Sequence, residues 1–89
     1  MEKLLENMDY ESLIKKVAKQ NEKSREKEIS FSTNFRDDLG YDSLDMLNLI
    51  VEIENALGIQ FDYEELDYQV IIEFQELFRI VNELSQKNE

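Results

Sequence analysis

The sequence predicts an all-α fold, because apolar side chains recur at helical spacing in three separate stretches, residues 10–17, 46–57 and 70–84. The chain has 89 residues, which is enough to bury only one small core. The three predicted helices must therefore share a single apolar interior. We expect one domain that spans residues 1–89.

The first predicted helix starts with Asp9 as its N-cap and presents one apolar face, formed by Tyr10, Leu13, Ile14 and Val17. Residues 1–8 would form a frayed extension of this helix or a lid, since their apolar side chains, Leu4, Leu5 and Met8, point away from that face. Residues 19–28 have no apolar side chain and mix charges of both signs, which indicates a solvated helix end and a loop. At the other end of the chain, residues 85–89 are polar and predict a frayed tail.

The composition restricts the function. The chain contains ten Lys and Arg residues and 21 Asp and Glu residues, which gives a formal net charge of −11. This surface would repel nucleic acid and anionic membranes and would favour partners with basic patches. The chain has no Cys and no His, so disulfides, the usual zinc sites and the commonest nucleophile–base pairs are excluded. Because we find neither an apolar run of membrane-spanning length nor a signal-peptide pattern, we expect a cytoplasmic protein without membrane insertion.

Residues 37–45, which read DDLGYDSLD, predict a tight turn that opens onto a helix. Gly40 can adopt the positive φ of a sharp reversal. Asp42 can cap the helix, and Asp45 three residues later completes an approximate capping box. Ser43 then lies in the first turn, where free backbone N–H groups and the helix dipole favour an anionic group. A hydroxyl exposed at this point is well suited to carry a phosphate ester.

This stretch resembles the phosphopantetheine-attachment motif of acyl carrier proteins. The resemblance covers about residues 29–81, and it implies that Ser43 is esterified by 4′-phosphopantetheine from coenzyme A. The terminal thiol of that arm would carry acyl chains as thioesters. The residues that support the motif are Asp38, Leu39, Gly40, Asp42, Leu44 and Asp45.

The resemblance also implies a fold and a set of partners. The fold would be a four-helix bundle with three longer helices and one short helix before the last. The protein would be a monomeric, non-catalytic carrier. Its partners would be a phosphopantetheinyl transferase and acyl-transferring and chain-modifying enzymes with basic docking patches, in fatty-acid, polyketide or related biosynthesis.

Other positions of this fold can be assigned along the chain. Ile29 and Phe35 match the apolar residues that plug the core from a long loop. Gly58 would end the helix that follows Ser43. The short helix would be capped by Asp62 and run through residues 64–66, and the last helix would begin near residue 70.

The helix after Ser43 sorts its side chains into three zones. Its core face contains Met46, Ile50, Ile53 and Leu57, flanked by Leu47 and Leu49. A polar stripe contains Asp45, Asn48, Glu52 and Asn55, and Leu44 and Val51 lie beside it. By resemblance, partners would dock through Leu44, Asp45, Asn48, Val51 and Glu52. Asn48 and Asn55 occupy positions where the family often has acidic residues, which favours a dedicated set of partners.

Several alternatives stay open at this stage. Tyr63 and Tyr68 are packing aromatics or line the entrance for an acyl chain. A peptidyl carrier and an unmodified, partner-binding helical module are the rival functions. The acidic residues around Gly40 lack EF-hand spacing and a companion nucleophile, so we expect neither a metal site nor a catalytic site.

Overall fold

The structure, a computed structural model, describes residues 2–87 and the side chains of residues 10–86. Four helices follow one another along the chain: α1 (Glu2–Ala18), α2 (Ser43–Leu57), α3 (Tyr68–Ile71) and α4 (Phe74–Lys87). The described residues form no β-strand, although one isolated antiparallel bridge joins Asn34 to Glu73. The predicted all-α fold, with a short helix before the last, is confirmed.

Helix α1 begins before the predicted cap. It starts at Glu2 rather than at Asp9, because the residues between them include good helix formers and neither Gly nor Pro. The side chains of residues 1–9, including Leu4, Leu5 and Met8, lie outside the described part of the chain. From Tyr10 onward, the predicted apolar face packs on the core, with Ile14 and Val17 buried.

The long connection between α1 and α2 contributes four residues to the core, Ile29, Phe35, Leu39 and Tyr41, and they include the two that were predicted. Ile29 and Phe35 are both buried. The backbone N–H of Phe35 donates to the carbonyl of Ile72 at 2.7 Å, and that of Phe74 donates to the carbonyl of Thr33 at 2.9 Å. These two bonds join the connection to the junction between α3 and α4.

Helix α2 is capped at both ends. Asp42 is its N-cap, and Gly58, in the left-handed conformation with φ of 68°, ends it by donating to the carbonyl of Glu54 at 2.8 Å. Its buried residues are Met46, Leu49, Ile50 and Ile53. Leu47 was expected on the flank of the core and is instead exposed.

The short helix lies later in the chain than predicted. Asp62 caps only a turn, in which its carbonyl accepts the N–H groups of Glu65 and Leu66 at 3.0 and 3.1 Å. The N-cap of α3 is Asp67, whose side chain accepts the N–H of Gln69 at 2.9 Å. Both aspartates provide the same local signal. The helix forms after Asp67, where Ile71 is buried, whereas residues 63–65 after Asp62 are exposed.

Helix α4 consequently begins at Phe74 and not near residue 70. Phe74, Leu77 and Val81 are fully buried. Ile72 lies in the corner between α3 and α4 and is buried. The helix continues to Lys87, so residues 85–87 of the predicted tail are helical. None of the helices formed by residues 2–87 combines the length and apolar character that a membrane crossing requires.

Candidate functional site

Ser43 is the first residue of α2, and it is exposed. The predicted capping box is present. The carboxylate of Asp42 accepts the N–H of Asp45 at 2.8 Å, and the carboxylate of Asp45 accepts the N–H of Asp42 at 2.9 Å. Because the two aspartates perform the capping, the hydroxyl of Ser43 takes no part in it.

The turn that leads to Ser43 is built by the other motif residues. Asp38 closes its own turn, since its carboxylate accepts the N–H of Asn34 at 2.8 Å. Leu39 is buried in the core. Gly40 has a φ of 78°, a backbone conformation that residues other than glycine rarely adopt. The positive φ of Gly40 is the conformation that the sequence predicts.

The side chain of Tyr41 connects the turn before Ser43 to the end of α1. The sequence did not predict this contact. Its phenol lies 3.0 Å from the carbonyl oxygen of Ala18 and 2.6 Å from the hydroxyl of Ser24, which itself lies 2.7 Å from the same carbonyl. All three groups are buried. Burial raises the pKa of Tyr41, and the hydrogen bond with Ser24 offsets only part of that effect. The turn is thus tied to the end of α1.

A second link joins the same two regions through Asp45. Its side chain is only 16% exposed, because Lys23 and Asn21 lie over it. Lys23 donates to Asp45 and to the carbonyl of Gly40, the latter at 3.2 Å, and Asn21 donates to Asp45 at 3.0 Å. Burial raises the pKa of Asp45, but hydrogen bonds from Lys23, the backbone of Asp42 and Asn21 outweigh it and lower the pKa to about 2.

The structure gives the Asp45 carboxylate contacts that the sequence did not predict. The helical wheel places Asp45 on a polar stripe, and the resemblance implies that it contacts partners. In the structure its carboxylate binds Lys23 and Asn21. Lys23 and Asn21 belong to a polar stretch that the sequence indicates as solvated. We name residues 21–24 the clamp, since they contact the turn through Asn21, Lys23 and Ser24.

The outer face of α2 is apolar next to Ser43. The exposed fractions of Leu44, Leu47 and Val51 are 63%, 47% and 37%. Residues spaced by three or four along a helix are neighbours on its surface. The three side chains therefore form one strip, which we call the apolar strip. Asn48, Glu52 and Asn55 are also exposed beside it.

Two clefts flank α2. An apolar cleft of about 150 Å³ is lined by Ser43, Leu47 and Ile50 on one side and by Tyr63, Leu66 and Tyr68 on the other. Both tyrosines thus line the cleft that begins at Ser43. Tyr63 is held there by donating to the carboxylate of Glu54 at 2.8 Å, and the second oxygen of Glu54 accepts the N–H of Phe61 at 2.8 Å.

The other cleft, of about 250 Å³, has a mixed polar and apolar lining and lies between the end of α1 and α2. Gln20 and Asn21 line one wall, and Asp45, Asn48 and Glu52 line the other. Residues 10–86, whose side chains are described, contain no group of three acidic side chains arranged to hold a metal ion.

Comparison with known proteins agrees with this geometry. The family described as "Phosphopantetheine attachment site" matches residues 12–78. The acyl carrier protein of Rubrobacter xylanophilus is 33% identical over 69 residues, which cover 74% of this chain and 85% of that protein. That of Rickettsia bellii is 34% identical over 64 residues, 71% of this chain and 74% of the relative.

The acyl carrier protein of Chloroherpeton thalassium is 48% identical over a shorter span of 40 residues, which covers 45% of this chain and 50% of that protein. No solved structure matches the chain. The family match covers most of the chain, and two relatives exceed 30% identity over more than two thirds of it. The chain therefore belongs to the acyl carrier protein family.

Proposed function

We propose that Ser43 carries 4′-phosphopantetheine and that the chain delivers acyl groups, bound as thioesters to this arm, to biosynthetic enzymes. The observation that carries the proposal is the exposed hydroxyl of Ser43 at the start of α2, left free of capping by Asp42 and Asp45. The prosthetic group supplies a thiol, which this chain lacks because it has no Cys.

The residues around Ser43 fit a phosphate ester. The capping carboxylate of Asp42 accepts the N–H of Asp45. The N–H groups of Ser43 and Leu44 lie in the same first turn and take no part in this cap. An anionic group at a helix N-terminus is typically favoured by about 0.3–1 kcal/mol. Two nearby carboxylates oppose it. Lys23 offsets them, since it pairs with Asp45 and lies 3.8 Å from Asp42.

The apolar cleft would shelter the part of the cargo nearest the arm. It begins at Ser43 and has a volume of about 150 Å³. An apolar cavity of about that size holds a molecule such as benzene. The cleft as it stands therefore suits a short acyl group or the first carbons of a longer one, and Tyr63 and Tyr68 would form its rim.

We further propose a single domain that works as a cytoplasmic monomer and does no catalysis itself. A phosphopantetheinyl transferase would modify Ser43, and enzymes that transfer or alter acyl groups would then dock in turn. The flexible arm raises the effective concentration of the cargo at each enzyme. Docking must be weak and brief, because the carrier has to leave again.

The test is the intact mass of the chain after incubation with coenzyme A and a permissive phosphopantetheinyl transferase. We expect the addition of one phosphopantetheine, its loss in Ser43→Ala and its retention in Ser12→Ala, which alters another exposed serine. A chain that stays unmodified but still binds a protein partner would contradict the proposal and favour an unmodified binding module. Mass spectrometry of protein from the native host distinguishes acyl from aminoacyl cargo.

A further inference from the structure

The positive charge of the chain is distributed unevenly around Ser43. Residues 15–36 contain most of the ten basic residues, whereas residues 37–78, which include Ser43, contain none. A cation of this chain that approaches Ser43 must therefore come from another segment. The fold brings Lys23, a residue of the clamp, onto the turn before Ser43.

The ammonium of Lys23 lies near acidic residues on both sides of Ser43 in the sequence. It donates to the carboxylate of Asp45 and, at 3.2 Å, to the carbonyl of Gly40. It also lies 3.8 Å from the carboxylate of Asp42. Among the side chains of residues 10–86, no other cation pairs with either aspartate. Lys23 is therefore the principal counter-charge of this turn.

This ammonium has room for a further anion. Lysine has three N–H donors, and the hydrogen bonds to Asp45 and Gly40 use two of them. The side chain of Lys23 is 41% exposed, so a group attached at the surface can reach it. The pKa of Lys23 is raised, chiefly by its hydrogen bond with Asp45, and the ammonium therefore keeps its charge at neutral pH.

A phosphodiester on Ser43 would add a negative charge to the residue that follows Asp42 and precedes Asp45 by two positions. Three anionic groups would then lie within residues 42–45, and their mutual repulsion would oppose the modified state. A lysine ammonium is a compact charge on a flexible stem, so it can serve two anions at once.

We propose that Lys23 is the counter-ion of the phosphodiester on Ser43, and that its ammonium is shared between this group and Asp45 in the modified chain. This inference rests on the proposed function. It gives Lys23 a second role besides its part in the clamp, because the residue then stabilises the modified chain more than the unmodified one.

The experiment compares the thermal unfolding of the unmodified chain with that of the chain modified to completion by coenzyme A and a permissive phosphopantetheinyl transferase, both at low salt. Lys23→Met should lower Tm by about 3 °C more in the modified chain than in the unmodified one, a shift of the size that an exposed ion pair produces in a small domain. Lys23→Arg keeps the positive charge and should restore most of this difference.

Two control variants separate the proposed role from a merely structural one. Asn21→Ala removes an uncharged donor of the same clamp, which lies 3.0 Å from the carboxylate of Asp45, and it should lower Tm equally in both forms. Lys16→Met changes the net charge by the same amount at an exposed position of α1, and its effect should differ by less than about 1 °C between the two forms.

The measurement is repeated at about 0.5 M salt, where charges are screened beyond a few ångströms. The additional loss in Lys23→Met should shrink there by about half or more. The proposal is overturned if this additional loss is absent at low salt, if salt leaves it unchanged, or if Asn21→Ala or Lys16→Met shows it equally.

Phosphorus NMR of the modified chain provides a second readout that does not depend on unfolding. The resonance of the phosphodiester should move in Lys23→Met and keep its position in Lys16→Met. An identical resonance in the wild type and in Lys23→Met would also overturn the proposal.

Failure of the proposed function has a different signature. In that case the intact mass shows no phosphopantetheine on the wild-type chain, and the proposal for Lys23 falls with it. If the wild-type chain is modified at Ser43 but Lys23→Met loses the same stability in both forms, only the proposal for Lys23 fails.

Discussion

The two segments that flank α2 hold it in different ways. On one side the clamp, residues 21–24, fastens the turn before Ser43 through a buried Ser24–Tyr41–Ala18 cluster and through the bonds of Asn21 and Lys23 to Asp45. On the other side, the connection from α2 to α3 borders an apolar cleft, and Tyr63 is bound to Glu54 at the exposed rim. The comparison indicates that one side fixes the turn before Ser43, while the other leaves an open cleft, in which we propose that cargo lies.

The largest expected effect tests whether the buried and open faces of α2 are assigned correctly. Ile53→Asp places an unpaired charge at a fully buried position, so we expect a loss of about 4 kcal/mol or more and an unfolded bundle. Leu47→Asp, on the apolar strip of the same helix, should cost about 1 kcal/mol or less. Circular dichroism during urea unfolding measures both. Retained helicity in Ile53→Asp would refute the assigned core.

A pair of tyrosine variants compares the two flanking segments directly. Tyr41→Phe removes a buried phenol from the cluster with Ser24 and Ala18, and we expect a loss of about 1–2 kcal/mol of stability. Tyr63→Phe removes a hydrogen bond at an exposed rim, and we expect a loss of about 0.5 kcal/mol or less. Equal free energies of unfolding for the two variants would show that the clamp holds its side no more firmly than the open rim does.

The smallest expected effect concerns pH and the charged part of the clamp. The pKa of Asp45 lies at about 2, below its ordinary value of 3.8. A carboxyl with a lowered pKa in the folded state stabilises the fold above its unfolded pKa, and this contribution is lost as the pH falls from near 3.8 to about 2. The free energy of unfolding should therefore fall less steeply over this range in Asp45→Asn than in the wild type.

Lys23→Met tests the cause of the shift. Without the Lys23 ammonium, the pKa of Asp45 in a carboxyl NMR titration should move up toward its ordinary value. Lys16→Met alters an exposed lysine of α1 and serves as the control. If the pKa of Asp45 stays unchanged in Lys23→Met, the observed ion pair does not form in solution.

Local signals account for what the sequence predicted well. The capping box of Asp42 and Asp45 and the ending of α2 at Gly58 depend on residues close together in the chain. The apolar periodicity likewise predicted most of the core. Leu47 was misjudged, because the helical wheel places it near the core, whereas the structure places it at the rim of a cleft.

The clamp could not be predicted, because its contacts join residues that are far apart in sequence. Asn21 reaches Asp45 across 24 positions, and Ser24 reaches Tyr41 across 17. In the sequence, Asn21 and Lys23 belong to a polar stretch that is typical of solvated loops. A Tyr between Gly40 and Asp42 was the available clue, since a bulky aromatic in a tight turn needs a buried place.

The backbone bonds between the long connection and the α3–α4 corner restrict how the cleft can widen. Phe35 donates to Ile72, which directly follows α3, and the adjacent Asn34 donates to Asp38 in the turn before Ser43. An outward movement of α3 would therefore strain or break the bond between Phe35 and Ile72. Displacement of α3 would pull on the turn that precedes Ser43. If cargo lies in the cleft as we propose, carriers with and without a bulky cargo would therefore differ in shape near Asp38 as well as around the cleft.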